Sequence, residues 1–160
     1  MTKLFISIAA SYFYAISLFT SKFKQDNNVI SNLCINNTEC NFKFALKRCN
    51  NTDNWSVHGL WLDYNNGSYP SYCSKMEYLK IPLSLEEEMS KKWYSCEGDN
   101  SIFWMHELQK HASCIRDYII YNMDSNSYFY DTLKMYDGLK SISNYICKGN
   151  SSKCLISFKR

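Results

Sequence analysis

Between Phe103 and Cys114 the chain reads FWMHELQKHASC, which sets His106, Glu107, Lys110 and His111 within six positions of one another. Imidazoles, a carboxylate and an ammonium group are the parts of general acid–base catalysis on a substrate that builds negative charge. The chain has only 3 histidines, and the third, His58, lies in NWSVHGLW, residues 54–61. Near neutral pH one imidazole can accept a proton while a charged partner donates one, so two histidine segments could supply base and acid. Lys110 and Glu107 suit a reaction in which charge develops on phosphate oxygens. For charges alone the ordinary explanation is a solvated face with i,i+4 pairs. Two of the chain's three histidines on one short face argue for more than that.

On an α-helix with His106 at zero, 100° per residue puts Lys110 at about 40°, Glu107 at about 100° and His111 at about 140°. Trp104, Met105, Leu108 and Ile115 fill the adjoining arc from about 160° to 260°. Such a helix is anchored by one edge and offers acid, base and cation from the other. His-Glu-x-x-His is a zinc signature, but here the second histidine comes at i+5 and points away from the first, and Lys110 would set a positive charge beside the ion. No metal or other cofactor is expected.

The elements that must carry these groups can be read in outline. NWSVHGLW alternates, with Trp55 and Val57 facing one way and Ser56 and His58 the other, as in a half-buried strand ending at Gly59. LDYNNGSYPSYC, which follows, is a turn-rich surface loop. SLEEEMSKKW, residues 84–93, has Ser84 as N-cap, acids in its first turn and lysines in its last, and predicts a helix. A second helix is expected over 101–116 with Ser101 as cap, and a third over 128–146, where Phe129, Leu133, Tyr136 and Leu139 follow helical spacing. Residues 22–54, rich in Asn and Lys, read as strand and loop. Few strands among several helices suggest an α+β fold.

At 160 residues the chain has room for one domain. Lys3 followed by a mostly apolar run from Leu4 to Phe19, interrupted by serines, is short for a membrane span and fits a signal peptide over residues 1–21. An uncleaved anchor or a buried helix is the competing reading. The single domain then covers 22–160, with no membrane anchor once the leader is removed. Eight cysteines, Cys34, Cys40, Cys49, Cys73, Cys96, Cys114, Cys147 and Cys154, lie beyond the leader. They read as a disulfide framework built in an oxidising compartment, with about a hundred pairings open. Sequons at Asn36, Asn50, Asn54, Asn66 and Asn150 agree with export to the outside or to the lumen of the secretory or lysosomal pathway. A net charge of +3 does not announce a nucleic-acid binder, so affinity for phosphate has to come from a local cluster.

VHGLWLD, residues 57–63, and FWMHELQKHASC resemble the two active-site segments of the secreted ribonuclease T2 family, whose patterns run His-Gly-Leu-Trp-Pro and Phe-Trp-x-His-Glu-x-x-Lys-His-Gly-x-Cys. The resemblance covers residues 55–114 and implies a central antiparallel sheet with helices packed on it. It also implies metal-free cleavage of single-stranded RNA, in which the ribose 2′-OH attacks phosphorus to give a 2′,3′-cyclic phosphate. By this likeness His111 is the general base, His58 the general acid, Glu107 and Lys110 stabilise the phosphorane, and His106 holds the phosphate. DNA, without a 2′-OH, is not cut, and no obligate protein partner is implied. Trp61 and Asp63 match positions that hold a base, with Tyr69 a further candidate, although a core role for the Trp61 indole is an equal reading. Cys73–Cys114 follows from the likeness; Cys49–Cys96 and Cys34–Cys40 are candidate pairs, which would leave Cys147 with Cys154, and the pairing beyond Cys73–Cys114 stays open.

Leu62 stands where the family has proline and Ala112 where it has glycine. The family's Trp-Pro strand is not recognisable in residues 22–34, and its pattern continues past Cys154 through further strands, so a smaller sheet and incomplete base sites are expected. A glycan on Asn54 would crowd the cleft. The alternative class is a secreted ribonuclease-like binding protein, a toxin or immune modulator, that acts without turnover.

Overall fold

The structure, a computed structural model, describes residues 40–50, 52–64, 66–118, 122–147 and 151–158. The expected leader, Cys34 with its bridge to Cys40, and the sequons at Asn36 and Asn150 lie outside the described residues. Three strands, β1 (Cys40–Arg48), β2 (Trp55–Tyr64) and β3 (Lys153–Phe158), form an antiparallel sheet in the order β2-β1-β3. The helices are α1 (Leu83–Lys92), α2 (Asn100–Glu107), α3 (Ser113–Tyr118) and α4 (Ser125–Ile146), and a π turn over Leu108–Ala112 joins α2 to α3. The fold is α+β, and no helix among the described residues is long and apolar enough to cross a membrane.

Strand pairing divides the sheet into two faces, because directly opposed residues point the same way. Phe44 and Leu46 of β1, Val57, Leu60 and Leu62 of β2 and Ile156 of β3 make the buried face. They share one apolar cluster with Met89 and Trp93 at the end of α1 and with Tyr128, Phe129, Leu133, Tyr136 and Leu139 of α4. The other face carries Lys43 and Lys47, Gly59, Trp61 and Asp63, and Lys153 and Leu155.

β2 is an edge strand, and its outward backbone groups would be costly if buried unpaired. Side chains from the helical layer take them up. The Trp93 indole N–H donates to His58 O at 3.0 Å, and the Tyr136 hydroxyl to Trp55 O at 2.6 Å. The Tyr128 hydroxyl donates to Leu60 O at 3.2 Å and accepts from Leu60 N–H at 3.4 Å. Alternation along β2 holds only from Gly59 onward. Ala45 pairs with Gly59 and Leu46 with Val57, so His58 is the extra residue of a β-bulge, and Trp55, Ser56 and Val57 are all buried.

Three helix starts differ from the expected ones. Pro82, in extended conformation, occupies the cap position of α1, and Ser84 falls inside the first turn. Asp99, not Ser101, caps α2, its carboxylate accepting from Ser101 N–H at 2.7 Å and Ile102 N–H at 3.2 Å. α4 begins three residues early because Asp124 accepts from Ser127 N–H at 2.7 Å and supports the added turn.

Candidate active site

The histidine segments meet where the end of α2 and the π turn lie against β2. An added residue lies at each of the two histidines nearest Trp61, half-buried His58 and buried His111. The β-bulge re-aims His58 away from simple strand alternation. In the π turn Ser113 N–H donates to Leu108 O, five residues back. The added residue widens the turn that carries Lys110 and His111.

The π turn is held from outside by the strap of residues 72–76. Tyr72 N–H donates to Lys110 O at 3.0 Å, and Cys73 N–H to Ser113 Oγ at 3.2 Å. Met76 N–H donates to Gln109 Oε1 at 3.1 Å, while the Gln109 amide donates back to Met76 O. Cys73 is bonded to Cys114, with 5.0 Å between their Cα atoms. Tyr72 takes a φ of 51°, an unfavourable conformation for a side chain of this size, in making its contact with the turn.

Trp61 stands at the centre of the cleft. Its indole N–H donates to Glu107 Oε2 at 2.8 Å, its face stacks on His111 with ring centres 4.8 Å apart, and His58 meets it edge-on at 5.3 Å. Gly59 makes this possible, because a Cβ there would overlap both Glu107 Oε2 and Trp61 Nε1. Glu107 and His111, assigned above to the presented edge, are buried, and Met105, assigned to the anchoring edge, is exposed. His106 is exposed, 6.4 Å from the Tyr72 ring.

Burial dominates the electrostatics. It lifts the Glu107 carboxyl to about 7, against the Trp61 hydrogen bond and the Lys110 charge, which favour ionisation. It draws His111 down to about 3, assisted by the positive charges of Lys110, His106 and His58. It draws His58 down to about 4, assisted by Lys47, Lys153, His106 and Lys110. His106 is lowered too, by burial and then by Lys110. His58 Nε2 lies 3.6 Å from Glu107 Oε1, and both groups are held toward their neutral forms. His111 Nδ1 is buried without a hydrogen-bond partner among the described residues.

The other expected positions fall around this centre. Asp63 is buried in an ion pair with Lys43 at 2.5 Å, on the sheet face that carries Trp61. Tyr69 is exposed, its ring 6.2 Å from His111. Cys49–Cys96 and Cys147–Cys154 are bonded at Cα separations of 5.2 and 5.5 Å. Asn50, Asn54 and Asn66 are exposed. Sequence reasoning missed the recess beside His58, lined by Lys47, Tyr94, Ser95, Glu97 and Phe103. Those residues come from β1, from the segment before α2 and from α2 itself, and no local pattern links them. Imidazoles at i+5 had argued against a shared metal on spacing. The π turn weakens that argument, but His111 is committed to Trp61 and His106 faces Tyr72, and no three His, Cys, Asp or Glu side chains converge among the described residues.

Residues 21–150 match the model of the ribonuclease T2 family. The chain is similar to ribonuclease T2 of Aspergillus oryzae, 36% identical over an alignment of 107 residues that covers 56% of this chain and 38% of that protein. It is also similar to ribonuclease DdI of Dictyostelium discoideum, 36% identical over 83 residues, 51% of this chain and 36% of that one. The matched stretch therefore spans less than two fifths of each of these relatives. Among solved structures, ribonuclease MC1 from bitter gourd seeds superposes with a TM-score of 0.53 at 21% identity, covering 65% of this chain and 60% of that one. Human RNase T2 gives 0.52 at 20%, covering 70% and 64%; at these identities the likeness speaks for the fold. Variants of ribonuclease MC1 have been solved with 5′-GMP and with 5′-UMP.

Proposed function

This chain belongs to the ribonuclease T2 family, and from that premise and the geometry of the cleft we propose that it is a secreted endoribonuclease cleaving single-stranded RNA by metal-free transphosphorylation. The observation that carries the reading is the convergence of His58 from β2, Glu107 from α2 and His111 from the π turn on the single indole of Trp61. His111, neutral above about pH 3, takes the proton from the ribose 2′-OH. The 2′-oxygen bonds to phosphorus, and the bond to the 5′-oxygen of the next nucleotide breaks. His58 in its charged form gives that oxygen a proton, leaving a 2′,3′-cyclic phosphate and a free 5′-hydroxyl. Lys110 lies close enough to all three histidines and Glu107 to act on each, and it stabilises charge on the phosphorane. Glu107, neutral below about pH 7, donates a hydrogen bond to a phosphoryl oxygen, and exposed His106 holds the phosphate at the mouth.

For base recognition, His111 occupies one face of Trp61, so a stacked base would use the other; the Lys43–Asp63 pair neighbours Trp61 on the sheet and Tyr69 neighbours His111. The 5′-GMP and 5′-UMP complexes of ribonuclease MC1 support a nucleotide as the occupant of this cleft. Three disulfides among the described residues, the apolar leader and the exposed sequons support passage through an oxidising, secretory compartment.

His58→Ala and His111→Ala test the reading against a protein that only binds. Each is expected to lower RNA cleavage by roughly a hundredfold or more while RNA affinity stays within a few-fold. The free enzyme needs His111 neutral and His58 charged, so kcat/KM is greatest at acidic pH and falls as pH rises past the His58 value of about 4. Cleavage by either variant equal to that of the parent protein would overturn the assignment.

A further inference from the structure

The sheet face that carries Trp61 also carries Lys47 and Lys153, which the β1–β3 register sets directly opposite each other. Opposed like charges, with Cβ atoms about 5 Å apart, weaken a sheet, and nothing in the buried core requires this pair. Lys153 is exposed, and Lys47 is met by Glu97 at 2.9 Å, whose side chain is 83% exposed. Lys47 lines the recess that opens beside His58. Lys43, the remaining cation of this face on β1, is already held by Asp63.

We propose that Lys47 and Lys153 form a phosphate subsite that takes the RNA phosphodiester one nucleotide 3′ of the bond being cleaved. The inference rests on the assignment of His58 to the leaving 5′-oxygen. On that assignment the downstream nucleoside passes into the recess beyond His58, and the next phosphate comes to the sheet face past Lys47. Two ammonium groups opposed across a ladder are a place where a phosphate anion removes a repulsion as well as making charge-assisted hydrogen bonds.

The pair also acts on the general acid. The charged and titratable groups that face His58 are Lys47 from β1, Lys153 from β3, His106, Lys110 and Glu107 from α2 and the π turn, and Glu97 from the segment before α2. Lys47 and Lys153 disfavour its charged form. A phosphate between them offsets that effect, so the polymer carries the anion that makes His58 a better proton donor.

Dinucleoside monophosphates with and without a terminal 3′-phosphate separate the two claims. The parent protein should cleave the phosphorylated form with a kcat/KM roughly tenfold higher, the equivalent of one charge-assisted hydrogen bond. In Lys47→Ala and in Lys153→Ala the ratio between the two substrates should fall to about one, and Glu97→Gln, which removes a competing carboxylate, should raise it. With longer RNA, Lys153→Ala should lower the log–log salt slope of binding by about 0.7, as for one single-strand phosphate contact. A ratio of one in the parent protein, or one unchanged in Lys153→Ala, overturns the subsite while leaving the cleavage mechanism intact. If neither dinucleotide is cut, the cleavage reading fails. The affinities of the same two ligands then decide the subsite: tighter binding of the phosphorylated form supports it, and equal binding overturns it.

Discussion

Buried against Gly59, Glu107 holds one oxygen on the Trp61 N–H and turns the other toward His58, so its protonation affects chemistry and stability together. Its carboxyl is raised from 4.5 to about 7 in the folded chain. The unfolded chain therefore loses this proton first, and the stability gained by keeping Glu107 neutral is present below 4.5 and lost as pH rises through 7, on the order of 3 kcal/mol. Glu107→Gln should accordingly be more stable than the parent at pH 8, by a similar amount in urea denaturation, with little gain at pH 4, while its kcat falls. Equal stability differences at both pH values would contradict the burial argument. The sequence singled out Glu107 and the three histidines by residue type and spacing, against the ordinary reading of a solvated face. It left Trp61 suspended between base contact and core, because nothing local says that an indole 46 positions from Glu107 will donate to it. The role of Gly59 was hidden for the same reason: the close approach is made by a distant side chain.

At the level of elements, helices and strands were legible from periodicity and their irregularities were not. A π turn and an α turn share the same residue pattern. What selects the π turn here is the strap of residues 72–76, which binds Lys110 O, Gln109 and Ser113 and is bonded through Cys73 to Cys114. The bulge at His58 is likewise a property of pairing with β1, not of NWSVHGLW itself. Removing the strap's covalent tie in a Cys73→Ser, Cys114→Ser double variant should cost roughly 2–4 kcal/mol in unfolding free energy. It should also lower kcat in protein that remains folded, as His111 swings from Trp61, with KM for RNA much less affected. A folded double variant with the parent kcat would show that the strap does not position His111.

For the whole molecule, an overall charge of +3 said little about partners, since what matters is where the lysines stand. Lys47 and Lys153 are brought together only by the pairing of β1 with β3, and Lys110 joins them near His58 through the packing of the π turn on β2. The α+β class was readable because few strands and several helices leave few ways to bury both. The sheet order and the division of labour between its faces follow from long-range register, and local pattern carries neither. One face packs on α4 and gives the protein its core; the other gives Trp61, the lysines and the floor of the cleft. The central claim is that this cleft cuts RNA through its own 2′-OH with no metal. The direct test is to incubate the oxidised protein with a short single-stranded RNA and its DNA counterpart in excess chelator at acidic pH, and to identify the new termini by mass spectrometry. We predict 2′,3′-cyclic phosphate and 5′-hydroxyl ends from the RNA and intact DNA. Intact RNA, cleavage abolished by the chelator, or cleavage of the DNA would contradict the account.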